Sequence, residues 1–190
     1  MRASRRSWPL AAAALAALAL VGCDDSGGYG SWSCDGALEF ADANLEQAVR
    51  DAVGKPAGDL LAEDVSELAY LEASSREIAD LGGVQCLSAL TELYLGDNLI
   101  TAVGPLDRLT SLERLVLEVN GITDLGPLAA LTALSTLSLH SNQVSDLAPL
   151  VANDGLGDGD VVWLAENPID TGEQAGNIEA LEARGVTLVF

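Results

Sequence analysis

The sequence contains few aromatic residues, few basic residues and one histidine, and each shortage excludes a class of structure or function. Its 190 residues include two Phe, three Tyr and three Trp, so a core must be built mainly from Leu, Val, Ile and Ala. Nine Lys and Arg accompany 29 Asp and Glu, and the formal charge of −20 repels nucleic-acid phosphates. We therefore expect no nucleic-acid partner, while an apolar content of 49% suffices for one packed domain.

Catalytic and metal-binding patterns are also scarce. Any Ser–His–acid arrangement would have to use His140, and the sequence has no G-x-S-x-G, no phosphate-binding Gly loop and no set of histidine ligands. Residues 153–160 contain three Asp and one Asn, but not the spacing or the final Glu of an EF-hand loop. A solvated loop is therefore favoured over a Ca²⁺ site, and we predict no enzyme activity, no cofactor and no metal.

The N-terminal apolar segment is too short to span a membrane. Residues 9–22 number 14, and a membrane-spanning helix needs roughly 20. Three arginines precede this segment, an order typical of a secretory signal peptide. Its end, Leu-Val-Gly-Cys at 20–23, resembles the lipobox of bacterial lipoproteins. An ordinary signal peptide with an incidental Cys23 is the alternative.

The lipobox resemblance implies removal of residues 1–22 and a lipid, with acyl chains such as palmitate, on Cys23. The protein would then be anchored to a membrane of the bacterial cell envelope and face the periplasm or the exterior. Residues 4–9, SRRSWP, loosely resemble a twin-arginine export motif, so the export route stays open, as does the choice of inner or outer membrane. The Gly/Ser-rich stretch predicts a flexible tether over residues 23–37.

Two cysteines remain if Cys23 carries lipid. Cys34 and Cys86 would then be expected to form a disulfide, because export leads to an oxidising compartment. Closing a loop of this length stabilises a fold by ~4 kcal/mol in the loop-entropy model. Two unrelated thiols are the alternative.

From residue 68 onward the sequence repeats with a period of 22 residues. The recurring positions are Leu71, Leu93, Leu115 and Leu137; Ile78, Ile100, Ile122 and Val144; Asn98, Asn120 and Asn142; and Pro105, Pro127 and Pro149. A fixed period in this range predicts a solenoid, in which each coil buries its apolar face against its neighbours.

Each recurring residue type has a physical role in such a coil. In LYL, LVL and LSL the alternation places both Leu on one side of a short strand and the middle residue on the other. The Asn that follows has a donor and an acceptor, so a column of Asn can satisfy the backbone of adjacent coils. Asp80, Asp124 and Asp146 are expected to accept from turn amides. The prolines donate no amide hydrogen bond and suit the convex side, where no sheet runs.

The motif N-x-I-x-D-L-x-P-L resembles the internalin-type leucine-rich repeat of bacteria, and the match covers residues 68–169 in about five units. The resemblance implies an α/β solenoid: a right-handed coil with short parallel strands on its concave face. The first unit departs from the motif at Arg76 and Gly83, the second at Ala102 and Val103. The last unit carries an insertion within 152–160, because Asn142 and Asn167 are 25 residues apart.

Open ends of a solenoid would expose its core, so caps are expected on both sides. Residues 38–67 predict a helical N-terminal cap, with Asn44 or Asp42 as the N-cap of its helix. The helix is expected to stop at 54–56 and to bury Leu45, Ala48, Val49 and Ala52. Residues 170–190 predict a C-terminal cap of a helix and a strand. This helix would start at a Thr171–Gln174 capping box, bury Ala175, Ile178 and Leu181, and end at Gly185.

Function is expected on the outward side of the strands. We predict a protein-binding surface there, since exposed Tyr, Trp and Arg are typical of interface hot spots. The candidate residues are Tyr70, Glu92, Tyr94, Arg114, Val116, Glu118, His140 and Trp163. The sequence thus predicts a monomeric, lipid-anchored binding module with an unidentified protein partner. A passive structural envelope domain without a dedicated ligand is the alternative.

Overall fold

Six short parallel strands form one sheet in sequence order in the computed structural model, which describes residues 33–190. The strands are β1 (Tyr70–Glu72), β2 (Glu92–Tyr94), β3 (Arg114–Val116), β4 (Thr136–Ser138), β5 (Val161–Trp163) and β6 (Thr187–Val189). Leu93 pairs with Leu115, and Leu115 with Leu137, as the 22-residue period predicts. The predicted signal peptide, Cys23 and the tether up to residue 32 lie outside the described residues.

Two α-helices precede β1, and short helices then return the chain from each strand to the next. The α-helices are α1 (Ala43–Val53), α2 (Ala62–Val65), α3 (Ala148–Ala152) and α4 (Ala175–Ala183), and 3₁₀ helices span Val84–Cys86, Gly104–Arg108 and Gly126–Ala130. The return helices of successive coils pack on one another. Pro105, Pro127 and Pro149 lie in their first turns, where no amide donor is needed. Predicted turn acceptors are confirmed: Asp80, Asp124 and Asp146 each accept an amide hydrogen bond at 2.8 Å.

The core is a continuous stack of aliphatic side chains between the sheet and the return helices. Leu71, Leu93, Leu115, Leu137 and Val162, one from each coil, are all fully buried. A second buried column follows two residues later, just past the end of each strand, and the Ile or Val two residues after each repeat Asn fills the bend. Leu115→Ala would leave a cavity costing about 2–5 kcal/mol, because neighbouring coils hold the surrounding walls in place.

A ladder of asparagines joins the bends of successive coils. The Asn142 side-chain amide donates to the carbonyls of Leu117 (2.8 Å) and Leu139 (3.0 Å), and its oxygen accepts from Ile122 N–H (3.0 Å). Asn98, Asn120 and Asn167 repeat this arrangement in their own coils. The predicted role of the asparagine column is confirmed, since each amide bridges its own coil and the preceding one.

One residue before the ladder position, every coil adopts a left-handed backbone without using glycine. These residues are Ser75, Asp97, Val119, Ser141 and Glu166, with φ between 53° and 56°. Their amides extend the sheet hydrogen bonding, as Val119 N–H does to His140 O at 3.0 Å. A β-branched residue is poorly suited to this conformation, so Val119 is a strained exception in the column.

Replacing Val119 with asparagine, which tolerates the left-handed region, is expected to raise the free energy of unfolding by about 1 kcal/mol. Val119 is 45% exposed, so little apolar burial is lost. Leu99→Asn is the matched control, because Leu99 is also exposed but has no positive φ. Thermal unfolding followed by circular dichroism measures both variants. A Val119→Asn melting temperature at or below that of the parent would contradict the strain argument.

The N-terminal cap covers the open side of the first coil. Asp42, one of the two predicted N-caps, accepts from the amides of Asn44 and Leu45. Burial alone would raise the pKa of Asp42, but these amides and that of Ala79 outweigh it and lower the pKa below its ordinary value. Leu45, Ala48 and Val49 are buried as predicted. Ala52 is exposed instead, because the buried stripe of α1 is narrower than its apolar pattern.

Two departures in the first coil serve its contact with this cap. Arg76 replaces the expected Asn, and its guanidinium lies 2.9 Å from the Asp51 carboxylate of α1. A side chain at Gly83, where Pro was expected, would collide with the Glu39 carbonyl, and Gly83 has φ 103°. The predicted disulfide between Cys34 and Cys86 is present and links the N-terminal segment to the first return helix.

The C-terminal cap differs from the prediction at the start of its helix. No side chain caps α4 at Gln174, and the predicted Thr171–Gln174 capping box is absent, because the Gln174 oxygen accepts from Leu147 N–H of the fourth coil. Only Leu181 of α4 is fully buried, whereas Ile178 is half-buried and Ala175 is exposed. The terminal strand β6 forms as predicted beside β5.

The insertion in the last coil packs against its neighbours. Asn153 is fully buried, and its amide donates to the carbonyls of Leu128 and Leu131. Arg184 of the C-terminal cap donates to the carbonyls of Val151 and Asn153. Asp160 accepts from Gly157 N–H, closing the loop on itself. The extra residues thus fill space between the fourth return helix and the cap.

Candidate protein-binding face

The outward side chains of the six strands form one continuous surface, here called the strand face. Its members are Tyr70, Glu72, Glu92, Tyr94, Arg114, Val116, Thr136, Ser138, Val161, Trp163, Thr187 and Val189, joined by Glu118 and His140 just beyond β3 and β4. All eight predicted binding residues belong to this face, and each is exposed or half-buried. Side chains alternate along each strand, so the outward residues lie on this face while the residue between them points into the core.

An aromatic and charged cluster lies on the first three strands. The rings of Tyr70 and Tyr94 are 5.4 Å apart and tilted by 50°, and Tyr70 is 51% exposed. The Tyr94 hydroxyl donates to the Glu92 carboxylate at 2.8 Å, and Arg114 lies 3.7 Å from the same carboxylate oxygen. Its hydrogen bond to Glu92, helped by burial, raises the pKa of Tyr94 above its usual value. Tyr94 is therefore neutral at physiological pH, and its hydrogen bond to Glu92 orients the ring.

A second cluster joins β3 and β4 around the only histidine. The Ser138 hydroxyl lies 3.1 Å from a Glu118 carboxylate oxygen and 3.2 Å from His140 Nδ1. The same Glu118 oxygen is 3.5 Å from His140 Nδ1. In a Ser–His–acid relay the serine and the carboxylate contact opposite ring nitrogens. Here both approach Nδ1, so the arrangement is a polar contact network and not a proton relay.

The far end of the strand face carries the exposed apolar residues. Trp163 is half-buried in β5, in register with Ser138 on one side and Val189 on the other. Val189 is 37% exposed and Phe190 is 50% exposed. The outward residues of β4 to β6 include no Asp, Glu, Lys or Arg. Tryptophan here is thus separated from the tyrosine pair by two intervening strands.

Positive charge is scarce and mostly neutralised. Residues 33–190 keep 27 of the 29 acidic residues and six of the nine basic ones, since Asp24, Asp25, Arg2, Arg5 and Arg6 precede them. Four basic side chains lie within 4 Å of a carboxylate: Arg50, Lys55, Arg76 and Arg114. Arg184 donates to backbone carbonyls. The surface therefore presents a strongly negative potential to its surroundings.

Other candidate sites are weaker. A shallow depression of about 270 Å³ lies at the first bends, lined by Ser75, Glu77, Asp97, Asn98 and Leu99. Among residues 33–190, His, Cys, Asp and Glu side chains form no group of three that could hold a metal ion. Within the same residues, no helix is both long and apolar enough to cross a bilayer.

Sequence reasoning missed some of the contacts on this face. Ser138 is 7% exposed and bridges Glu118 and His140, a contact that its small side chain did not indicate in the sequence. Glu72 was not among the candidates, and the structure shows that its carboxylate accepts from Ser74 N–H at 2.9 Å, at the first edge of the strand face. The 22-residue period predicts which residues occupy equivalent positions in successive strands. It does not predict which side chains contact each other across strands.

Comparisons with known proteins agree with this architecture. A family model described as leucine-rich repeats in two copies matches residues 110–152. An internalin (InlF) from Listeria monocytogenes is similar in structure, with 24% identity, a TM-score of 0.66, and coverage of 75% of this chain and 47% of its own. The functional domain of InlJ from the same organism, described as including a cysteine ladder, has 26% identity, a TM-score of 0.63, and coverage of 73% and 31%.

The chain thus spans less than half of the first of these structures and about a third of the second. A search of curated proteins finds no match. What the comparisons support is the fold: consecutive leucine-rich repeats wound as in internalins.

Proposed function

We propose that this solenoid of internalin-type leucine-rich repeats is a non-enzymatic module that binds a protein partner through its strand face. The observation that carries the proposal is the pair of aromatic anchors, Tyr94 and Trp163, on an otherwise uncovered part of the described chain. Aromatic and Arg side chains concentrate binding energy at protein interfaces. The leucine-rich repeats and the internalin-like fold support a protein-binding module in general.

We further propose that the protein is held at the bacterial envelope by a lipid on Cys23, with residues 1–22 removed as a signal peptide. In this arrangement residues 23–37 tether a repeat domain bounded by caps at 38–67 and 170–190, and a monomer presents its strand face to the periplasm or the exterior. The support is the Leu-Val-Gly-Cys sequence after a basic start and an apolar run.

Replacing both Tyr94 and Trp163 with alanine is expected to weaken partner binding by about 30-fold, since losing hot-spot anchors costs about 2 kcal/mol. The partner would be captured from envelope extracts by the parent protein, identified by mass spectrometry, and titrated against each variant. Leu99→Ala is the matched control, because it removes an exposed apolar side chain at a bend. Unchanged affinity in the double variant, with unchanged melting temperature, would favour the passive structural domain instead.

The lipid anchor has its own test. Mass spectrometry of the mature N-terminus is expected to find Cys23 as the first residue, carrying a diacylglyceryl group. Cys23→Ser should then move the protein from the membrane fraction to the soluble fraction of cells. An unmodified cysteine, or a serine variant that stays with the membrane, would refute lipidation at this residue.

A further inference from the structure

The strand face is divided into two halves of different chemistry. On β1 to β3 the outward residues, together with Glu118 two residues beyond β3, provide three carboxylates, Glu72, Glu92 and Glu118, against one cation, Arg114. On β4 to β6 the outward residues are neutral, and Val161, Trp163 and Val189 are the apolar members. The face is therefore acidic at one end and apolar at the other.

The acidic half has the components of a subsite for a cation. Tyr70 and Tyr94 present two tilted rings beside the Glu92 carboxylate. A Lys or Arg head placed over a Tyr ring within about 6 Å is attracted by the ring, and an adjacent carboxylate strengthens the attraction. The negative potential of the whole chain favours the same charge in a partner. An anionic partner would meet three carboxylates in this half against the single cation Arg114.

We propose, on the basis of the binding function above, that the partner is a polypeptide segment with basic and apolar ends, lying across the strands. Its basic residues contact the tyrosine and glutamate half, and its apolar residues contact Trp163, Val161 and Val189. Strands about 4.8 Å apart place β1 and β6 about 24 Å from each other. An extended segment crosses that distance with about seven residues.

Three blocked heptapeptides test this arrangement against the intact protein. The first, Lys-Lys-Gly-Gly-Gly-Leu-Leu, separates the two chemistries, and the second, Lys-Gly-Leu-Gly-Lys-Gly-Leu, interleaves the same residues. The third, Glu-Glu-Gly-Gly-Gly-Leu-Leu, reverses the charge. Titrations by NMR follow the amides of Glu92 and Tyr94 and the indole of Trp163. We expect the first peptide to bind at least about fivefold more tightly than the second, with the third causing no shifts at the amides of Glu92 and Tyr94.

Two variants of equal net charge separate a local subsite from general attraction. Glu72→Gln with Glu118→Gln should weaken the first peptide at least about threefold. Glu179→Gln with Glu182→Gln, on the exposed side of α4, should leave its affinity unchanged. The proposal is overturned by equal binding of the three peptides, by no shifts at millimolar peptide, or by equal effects of the two variants.

Failure here is distinguishable from failure of the proposed function. If the partner captured from extracts still depends on Tyr94 and Trp163 while these peptides fail, only the chemistry assigned to the partner is wrong. If that dependence is also absent, the strand face is not the binding surface.

Discussion

Asn142→Ala is expected to lower the free energy of unfolding by about 3 kcal/mol, more than a typical single substitution. Asn142 is 1% exposed, and its loss leaves the amide of Ile122 without its partner in the bend. The carbonyls of Leu117 and Leu139 each keep one ladder bond, from Asn120 and Asn167. A buried amide without a partner costs about 1–3 kcal/mol, and the lost bonds and the cavity account for the rest.

Urea unfolding followed by circular dichroism measures this effect, and two further variants identify its cause. Asn142→Asp keeps the volume but cannot donate, so it should also destabilise strongly if hydrogen bonding is responsible. Asn44→Ala changes an exposed asparagine of α1 and should cost less than about 1 kcal/mol. A stable Asn142→Asp variant would show that the ladder contributes packing and not hydrogen bonds.

Removing the disulfide, by Cys34→Ser with Cys86→Ser, is expected to cost about 4 kcal/mol, because it frees a 52-residue loop in the unfolded chain. The enclosed segment contains α1, α2, β1 and most of the first coil. Unfolding should therefore begin at the N-terminal cap, and hydrogen exchange should accelerate in residues 38–86 before the central coils.

Chemical reduction of the parent protein provides the control, since it breaks the same bond without substitution. Reduced parent and double-serine variant should unfold at the same urea concentration, below that of the oxidised parent. A double-serine variant as stable as the oxidised parent would show that cap packing alone holds the first coil.

The period of 22 residues was sufficient to predict the strand positions, their register, the buried columns and the asparagine ladder. These features depend on spacing, because identical coils stack only when equivalent residues fall at equivalent places. The pairing of Cys34 with Cys86 was also predictable, since the predicted export and the predicted lipid on Cys23 left two cysteines.

Features that depend on contacts between unlike coils were not predictable. The predicted start of α4 was wrong because the Gln174 side chain accepts a hydrogen bond from the fourth coil. The local sequence does not show this contact. The predicted burial of Ala52 was wrong because alanine is compatible with both the buried and the exposed face of a helix. The left-handed column has no common residue type, so only the backbone shows that Val119 is strained.

The candidate face was predictable in outline and not in detail. Alternation along the strands named Tyr70, Tyr94 and Trp163 as outward residues. The contacts on this face depend on side-chain rotamers. The Tyr94 hydroxyl donates to Glu92, and Ser138 lies between Glu118 and His140. The pairing of side chains across strands determines which charged groups remain available for binding. Only the structure shows this pairing.

Photo-crosslinking tests most directly whether the strand face is the binding surface. Benzoylphenylalanine would be introduced at position 94, at position 163, or at Asp107, which is exposed in a return helix. After illumination in cells, mass spectrometry identifies the proteins joined at each position. We predict one partner crosslinked from positions 94 and 163 and not from position 107. A partner joined from position 107 instead, or no product from positions 94 and 163, would contradict the account.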